Sequence, residues 1–312
     1  MRLDLSRPRE VGAILSDAFG LYFRHFRTFV ALSAAVVVPA EIAVSGIGLE
    51  QISASYDSTP GAREVIAPVL VSLLVVTPLV AAMTIHALLE AAEGTKPAAK
   101  RAIAAGFDAF TNVFMVVVLA VLAVFGAAFP GAVLGAISVP IGAVAAVAGV
   151  AYVGVRLYFV VQCAVIERHR GIAALRRSWE LSERSWWRIL GIGLLVGLAA
   201  ILPAQLIATP FEAVASSSDR AVFSLAGSIV AQTLSAPLLV IGATLLYFDI
   251  GVRRAGHAPP PIAPPPPGGT PPPPGGTPPP PGYEEPPARG DDPPPPPPPI
   301  APPDPPGLPP RD

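Results

Sequence analysis

Residues 111–166 carry a single charged side chain, Arg156, in a run of 56. Roughly 20 apolar residues, each rising ~1.5 Å, cross a bilayer core of about 30 Å. The run is too long for one spanning helix and too apolar for a water-facing surface. It fits a hairpin of two helices, with the turn near Pro130–Pro140, where Gly131 and Gly135 also punctuate it. The same criterion finds four further spans. The expected set is 28–49, 65–89, 112–133, 140–165, 187–208 and 222–250. The fold class is therefore all-α integral membrane. Only 14% of the chain is charged, against about 25% in soluble domains, and mean hydropathy is +0.57. These values exclude a soluble globular enzyme and a wholly disordered chain. Of 41 prolines, 30 lie in residues 259–312. The chain thus divides into a polytopic membrane domain, 1–258, and a disordered proline-rich tail, 259–312.

Lysine and arginine set the expected orientation, because cytoplasmic loops of membrane proteins are enriched in them. With six spans, one side receives the N-terminal segment, the loops near 90–111 and 167–186, and the C-terminal segment. Eighteen Lys and Arg residues fall there; only Arg63 and Arg220 fall opposite. Both termini are expected to be cytoplasmic. The body carries net +3 and the tail net −4. Arginine outnumbers lysine 19 to 2, a bias that suits a GC-rich bacterial genome and a bacterial cytoplasmic membrane.

Three amphipathic segments lie beside the spans on this basic side. In GAILSDAFGLYFRHF, residues Ile14, Leu15, Ala18, Phe19, Tyr22 and Phe26 recur at three- and four-residue steps, the period of one helical face. The segment is too polar to span and reads as an interfacial helix; it lacks the character of a secretory leader. Aromatic pairs seven residues apart recur as Phe19/Phe26, Phe107/Phe114 and Trp179/Trp186, each followed by a span and a proline (Pro39, Pro130, Pro203). Interfacial helix plus helical hairpin, three times over, is the repeat this implies. Aromatics also gather at membrane interfaces without any repeat.

Ionisable residues within spans point to function or to a structural pairing. Glu41 lies about 20 Å from the basic end of the first span and Arg156 about 15 Å from that end of the fourth, at ~1.5 Å per residue. A buried Glu41–Arg156 pair is expected, either bracing the bundle or lining a cavity. Asp249, four residues before Arg253, and His86 read as interface anchors. Prolines 39, 78, 203, 210 and 237 kink or end spans, as in transporters and in transmembrane helices generally. Gly193 and Gly197 form a small-xxx-small pair suited to close helix approach. The segment GIAALRRSWELSERSWWR sets Arg176, Arg177, Arg184 and Arg188 among Trp179, Trp186 and Trp187. Beside a membrane this favours anionic lipid headgroups over nucleic acid. Glu90, Glu93, Glu167, Glu180 and Glu183 read as solvated. Cys163 is a lone packing cysteine, and four scattered histidines offer no metal spacing. No catalytic triad, phosphate loop or metal pair appears, so the chain is read as non-enzymatic and without a cofactor. In the tail, PPPPGGT occurs at 264–270 and 271–277 and PPGY at 280–283. These favour polyproline II, serving as a spacer or as a ligand for a protein partner.

Three stretches resemble a known family. The opening GAILSDAFGLYFRHF, the run ERHRGIAALRRSWELSERSWWRILG (167–191) and the ending LLYFDIGVRR (245–254) are similar to bacterial proteins of the glycerophosphoryl diester phosphodiesterase membrane domain family. That resemblance spans residues 12–254. It implies an accessory membrane region. The family's phosphodiesterase partner is a barrel of roughly 250 residues with acidic metal ligands, and no segment here houses one. The expected function is a non-enzymatic lipid- or partner-organising membrane module. The alternative is a small-solute or lipid transporter with a cavity near Glu41 and Arg156.

Overall fold

A computed structural model describes residues 8–44, 66 and 69–255. The proline-rich tail, Arg63 and the connection at 45–65 lie outside the described residues. Among these residues all regular structure is helical. Six helices are long and apolar enough to cross a membrane: Phe26–Val44, Val69–Ala92, Ala99–Gly135, Val139–Val165, Trp186–Ser218 and Ala221–Ala255.

The helices are numbered in chain order. α1 is Val11–Arg24, α2 Phe26–Val44, α3 Thr77–Ala92 and α4 Ala99–Gly135; α5 is Val139–Arg156, α6 Val160–Val165, α7 Ile172–Ser182, α8 Trp186–Ser218 and α9 Ala221–Ala255. The amphipathic pattern of α1 is realised with Ile14, Ala18, Leu21 and Tyr22 buried, a stripe at i, i+4, i+7 and i+8. That stripe packs on α9, and the Tyr22 hydroxyl donates to the Leu234 carbonyl at 3.0 Å. The chain turns at His25 and enters α2 at once.

α3 and α9 are the most buried spans, and α2, α4 and α8 pack around them. α3 is preceded by a π-helical turn, Ser72–Val76. The cause lies in Pro78, which offers no amide donor to the carbonyl one turn back. The widened turn lets both the backbone N–H and the hydroxyl of Thr77 donate to the Ser72 carbonyl, the latter at 2.8 Å. Peripheral helices keep their apolar side chains outward: Leu122, Phe125 and Phe129 on α4, Val144 and Val147 on α5, Leu198, Leu202 and Leu206 on α8. Water would penalise such a continuous surface, whereas acyl chains would not.

α4 runs 37 residues, about 55 Å. Its first turns, expected to form a separate surface helix with Phe107, are continuous with the span. The Glu90 carboxylate accepts the Ala98 N–H at 2.9 Å and the Arg101 Nε–H at 2.8 Å, so it caps the start of α4 and is not merely solvated.

The fourth span, Val139–Val165, is interrupted at Leu157–Phe159 between α5 and α6. No proline or glycine marks the break. Its freed backbone groups are met by α7, where Ser178 and Ser182 hydroxyls donate to the Arg156 carbonyl at 2.9 and 3.2 Å and the Phe159 N–H donates to Ser178 Oγ at 3.2 Å. One expectation needs correction: close helix approach does not occur at Gly193 and Gly197. Gly193 faces the Tyr158 ring and Gly197 faces open space. The close seam runs between α4 and α5, where a methyl group at Gly142 would overlap the Gly135 backbone and one at Gly131 that of Ala146.

This seam predicts that Gly142→Val forces α4 and α5 apart and destabilises the protein by ~1–3 kcal/mol. Gly197→Val should leave it within about 0.5 kcal/mol. Denaturant-induced unfolding of the purified protein in micelles measures both.

Candidate functional site

The exit of α9 gathers the charged end of the bundle. Tyr247 and Asp249 are two residues apart, so they leave α9 in different directions. Asp249 is fully buried, at 0% exposure. Its carboxylate accepts the Arg188 Nη2–H at 2.9 Å and the Arg253 Nε–H at 3.0 Å, and the Arg9 backbone N–H donates to it at 2.6 Å. The Arg9 carbonyl in turn accepts from Arg188 and Arg253, at 2.7 and 2.9 Å. Arg9 Nε–H reaches Asp17 on α1 at 3.1 Å. One buried carboxylate thereby joins the N-terminal segment, the start of α8 and the end of α9. The expected Asp249–Arg253 spacing is used, but Asp249 is a buried hub and not an interface anchor.

Tyr247 serves the other cluster. Its hydroxyl donates to Glu167 in the α6–α7 loop. Glu167 also accepts from Arg177 Nε at 2.8 Å and lies 3.0 Å from His169 Nε2. Burial pushes the Glu167 carboxyl up, but the hydrogen bonds from Tyr247 and Arg177, with the Arg177 charge, outweigh it and hold the group below the usual carboxylate range. The Arg177 guanidinium is correspondingly raised, first by its hydrogen bond to Glu167. Glu167 is therefore bound on both oxygens, contrary to its reading as a solvated residue.

Glu41 and Arg156 are not brought together. Glu41 on α2 accepts from the Gln232 side chain on α9 at 2.5 Å. Arg156 closes α5 and lies between two rings, with its guanidinium carbon 5.3 Å from the Tyr152 centroid and 5.1 Å from that of Trp179. Its Nη2–H donates to the Tyr152 hydroxyl at 3.1 Å. The depth argument failed because the helix break places Arg156 at the charged end beside α7, and because α2 packs mainly on α9 and α3. A cavity of 370 Å³ does adjoin Glu41, lined by Val69, Ser72, Leu73, Thr77 and Gln232.

The seven residues of the basic and aromatic segment divide. Arg177 is bound to Glu167, Arg188 to Asp249, and Trp179 packs edge-on against Tyr152. Trp186 packs against Trp187, ring centroids 4.6 Å apart. Arg176, Trp179, Arg184 and Trp187 remain exposed, Trp179 at 39% and Trp187 at 79%; Arg176 makes a surface pair with Glu180. Sequence reasoning missed Ser178, Ser182, Gln232 and Tyr247. A signal existed for the serines, which sit four apart on the buried stripe of α7 with Ala174 and Leu181. No protein-family model, curated protein or solved structure matches the chain.

Removing one partner of a buried charge cluster leaves the others unpaired. Asp249→Ala should therefore destabilise the protein by ~3–5 kcal/mol in micelles, far more than Arg176→Ala. The lowered Glu167 implies that its contribution is complete above the ordinary carboxylate pKa of about 4.3. It is lost as pH falls through the lower, folded-state value. Melting temperature should drop on acidification below about pH 4.5, and Glu167→Gln should flatten that acid limb.

Proposed function

We propose that this protein is a non-enzymatic, multi-pass module of a bacterial cytoplasmic membrane that gathers anionic lipid at its charged end. Both termini would be cytoplasmic, and the proline-rich tail would extend on that side as a spacer or partner-binding arm. The observation that carries the reading is the exposure of Arg176, Arg184 and Trp187 where α7 meets α8. Cations flanking an exposed indole at the start of an apolar helix suit the headgroup layer. Trp179, exposed beside Tyr152, borders that face, and Arg177, Trp186 and Arg188 support it from beneath.

The stretches that resemble the glycerophosphoryl diester phosphodiesterase membrane domain family supply the elements at this end: α1, the α6–α7 loop with α7, and the exit of α9. We read the chain as an accessory region of that kind. α1 and α7 each precede a span after a short break, at His25 and at Glu183–Ser185. This favours the threefold repeat of surface helix and hairpin, with the second surface helix fused into α4.

A second reading, transport, rests on the cavity beside Glu41. An intramembrane carboxylate, a glutamine and a π-helical turn meet there, and such turns concentrate at functional sites. The two readings separate experimentally. Native mass spectrometry of the extracted protein should show phosphatidylglycerol adducts that fall at least about threefold in the Arg176→Gln, Arg184→Gln, Trp187→Ala triple variant, while Glu41→Gln leaves them unchanged. Undiminished adducts in the triple variant would refute the lipid reading. Solute uptake into proteoliposomes that Glu41→Gln abolishes would establish transport instead.

A further inference from the structure

The α6–α7 loop, 167–170, has no regular structure, and its side chains divide between two sides. Glu167 and His169 face α7 and the Tyr247 cluster. Arg168 and Arg170 line the opposite side, a cavity of 370 Å³ bounded by His86 of α3, Asp108 and Asn112 of α4, and Ala164 and Val165 of α6. Neither arginine has a carboxylate partner among the described residues.

This arrangement is held in place. Asn112 Nδ2–H donates to the Ala164 carbonyl at 3.3 Å and the His169 carbonyl at 3.0 Å, and the His169 N–H donates to the Cys163 carbonyl at 3.2 Å. Arg168 sits at φ +56°, a left-handed conformation uncommon for a side chain of its size. Gly171 follows at φ +51° and ψ −127°, a region open essentially to glycine alone. The pinned backbone thus brings Arg168 and Arg170, both exposed, to one wall of a recess beside α3 and α6. The facing groups are one carboxylate, Asp108, and one imidazole, His86. Net positive charge is left without a counter-ion in a partly enclosed site. Glu90, one turn beyond His86, is already engaged with Arg101 and Ala98.

We propose that this recess binds a phosphate group through Arg168 and Arg170, with the Asn112-pinned loop as its scaffold. Two guanidinium forks match the planar, multiple-acceptor geometry of phosphate oxygens, and the volume admits a phosphate bearing a small organic substituent. The site is separate from the exposed Arg176–Arg184 face, so it stands or falls independently of the lipid-gathering reading. The phosphate belongs either to a lipid headgroup or to a soluble phosphate, and both present the same chemistry to the recess.

The test uses full-length protein in two settings. In detergent, inorganic phosphate is titrated against thermal stability, with potassium chloride at matched ionic strength as reference. In nanodiscs, stability is compared between zwitterionic lipid alone and the same lipid with phosphatidic acid. A saturable rise in detergent identifies a soluble phosphate. A rise confined to phosphatidic acid nanodiscs identifies a headgroup. In whichever setting the rise occurs, Arg168→Gln with Arg170→Gln should weaken it at least about tenfold, and Arg176→Gln with Arg184→Gln should leave it. Asp108→Asn removes the one opposing carboxylate and should tighten binding severalfold, a gain that no loss of folding can imitate. The proposal is overturned by no rise in either setting, by a rise indifferent to Arg168 and Arg170, or by equal loss in the Arg176 and Arg184 variant.

Discussion

The buried carboxylate of Asp249 is the constraint on which the charged end depends. An unpaired ion in so enclosed a place would cost several kcal/mol. Arg188, Arg253 and the Arg9 backbone satisfy it together. These groups come from positions 9, 188, 249 and 253, so the bond set closes the chain from its first described residues to its last. α1 reaches its place on α9 through the same knot, because Arg9 and Asp17 are tied to each other. The Tyr247–Glu167 contact extends the network to the α6–α7 loop, and that loop positions both α7 and the arginine-lined recess.

Apolar burial alone would not select this arrangement. Outside helices α4, α5 and α8 present leucine, valine and phenylalanine to a lipid-like surround and gain little by burying them again. Specificity comes from small residues and polar groups instead. Glycine lets α4 and α5 touch along their backbones. Serine hydroxyls from α7 complete the broken helix at 157–159. A threonine hydroxyl does the same for the π turn before Pro78. Each is a local polar debt met by a neighbour, as a low-dielectric medium demands.

The number and approximate place of the spans were legible in the sequence, because length and hydropathy suffice for them. The amphipathic stripe of α1 and the Asp249–Arg253 spacing were legible for the same periodic reason. Pairings across the bundle were not. Glu41 and Arg156 matched by depth, yet depth along two helices says nothing of which helices are neighbours. Gln232, a neutral residue in a span, gave no charge signal but became the partner of Glu41. The break at Leu157 was invisible because its cause lies 20 residues away in α7. In the basic segment, charge and aromaticity marked all seven residues alike, and only packing separates Arg177 and Arg188, which brace the fold, from Arg176 and Arg184, which face outward.

The α4–α5 hairpin also bears on how the protein enters a bilayer. Its turn at Ala136–Ser138 contains no ionisable group, and from Thr111 to Val155 no charge has to be carried through the hydrocarbon. The two helices meet through glycine and alanine, so they lose little side-chain freedom on association. Translocation of this tip therefore entails only backbone polar groups that the helices already satisfy. The turn joining α8 to α9, by contrast, carries the charged pair Asp219 and Arg220. The central hairpin can thus enter the hydrocarbon as a unit without burying any charge at its tip.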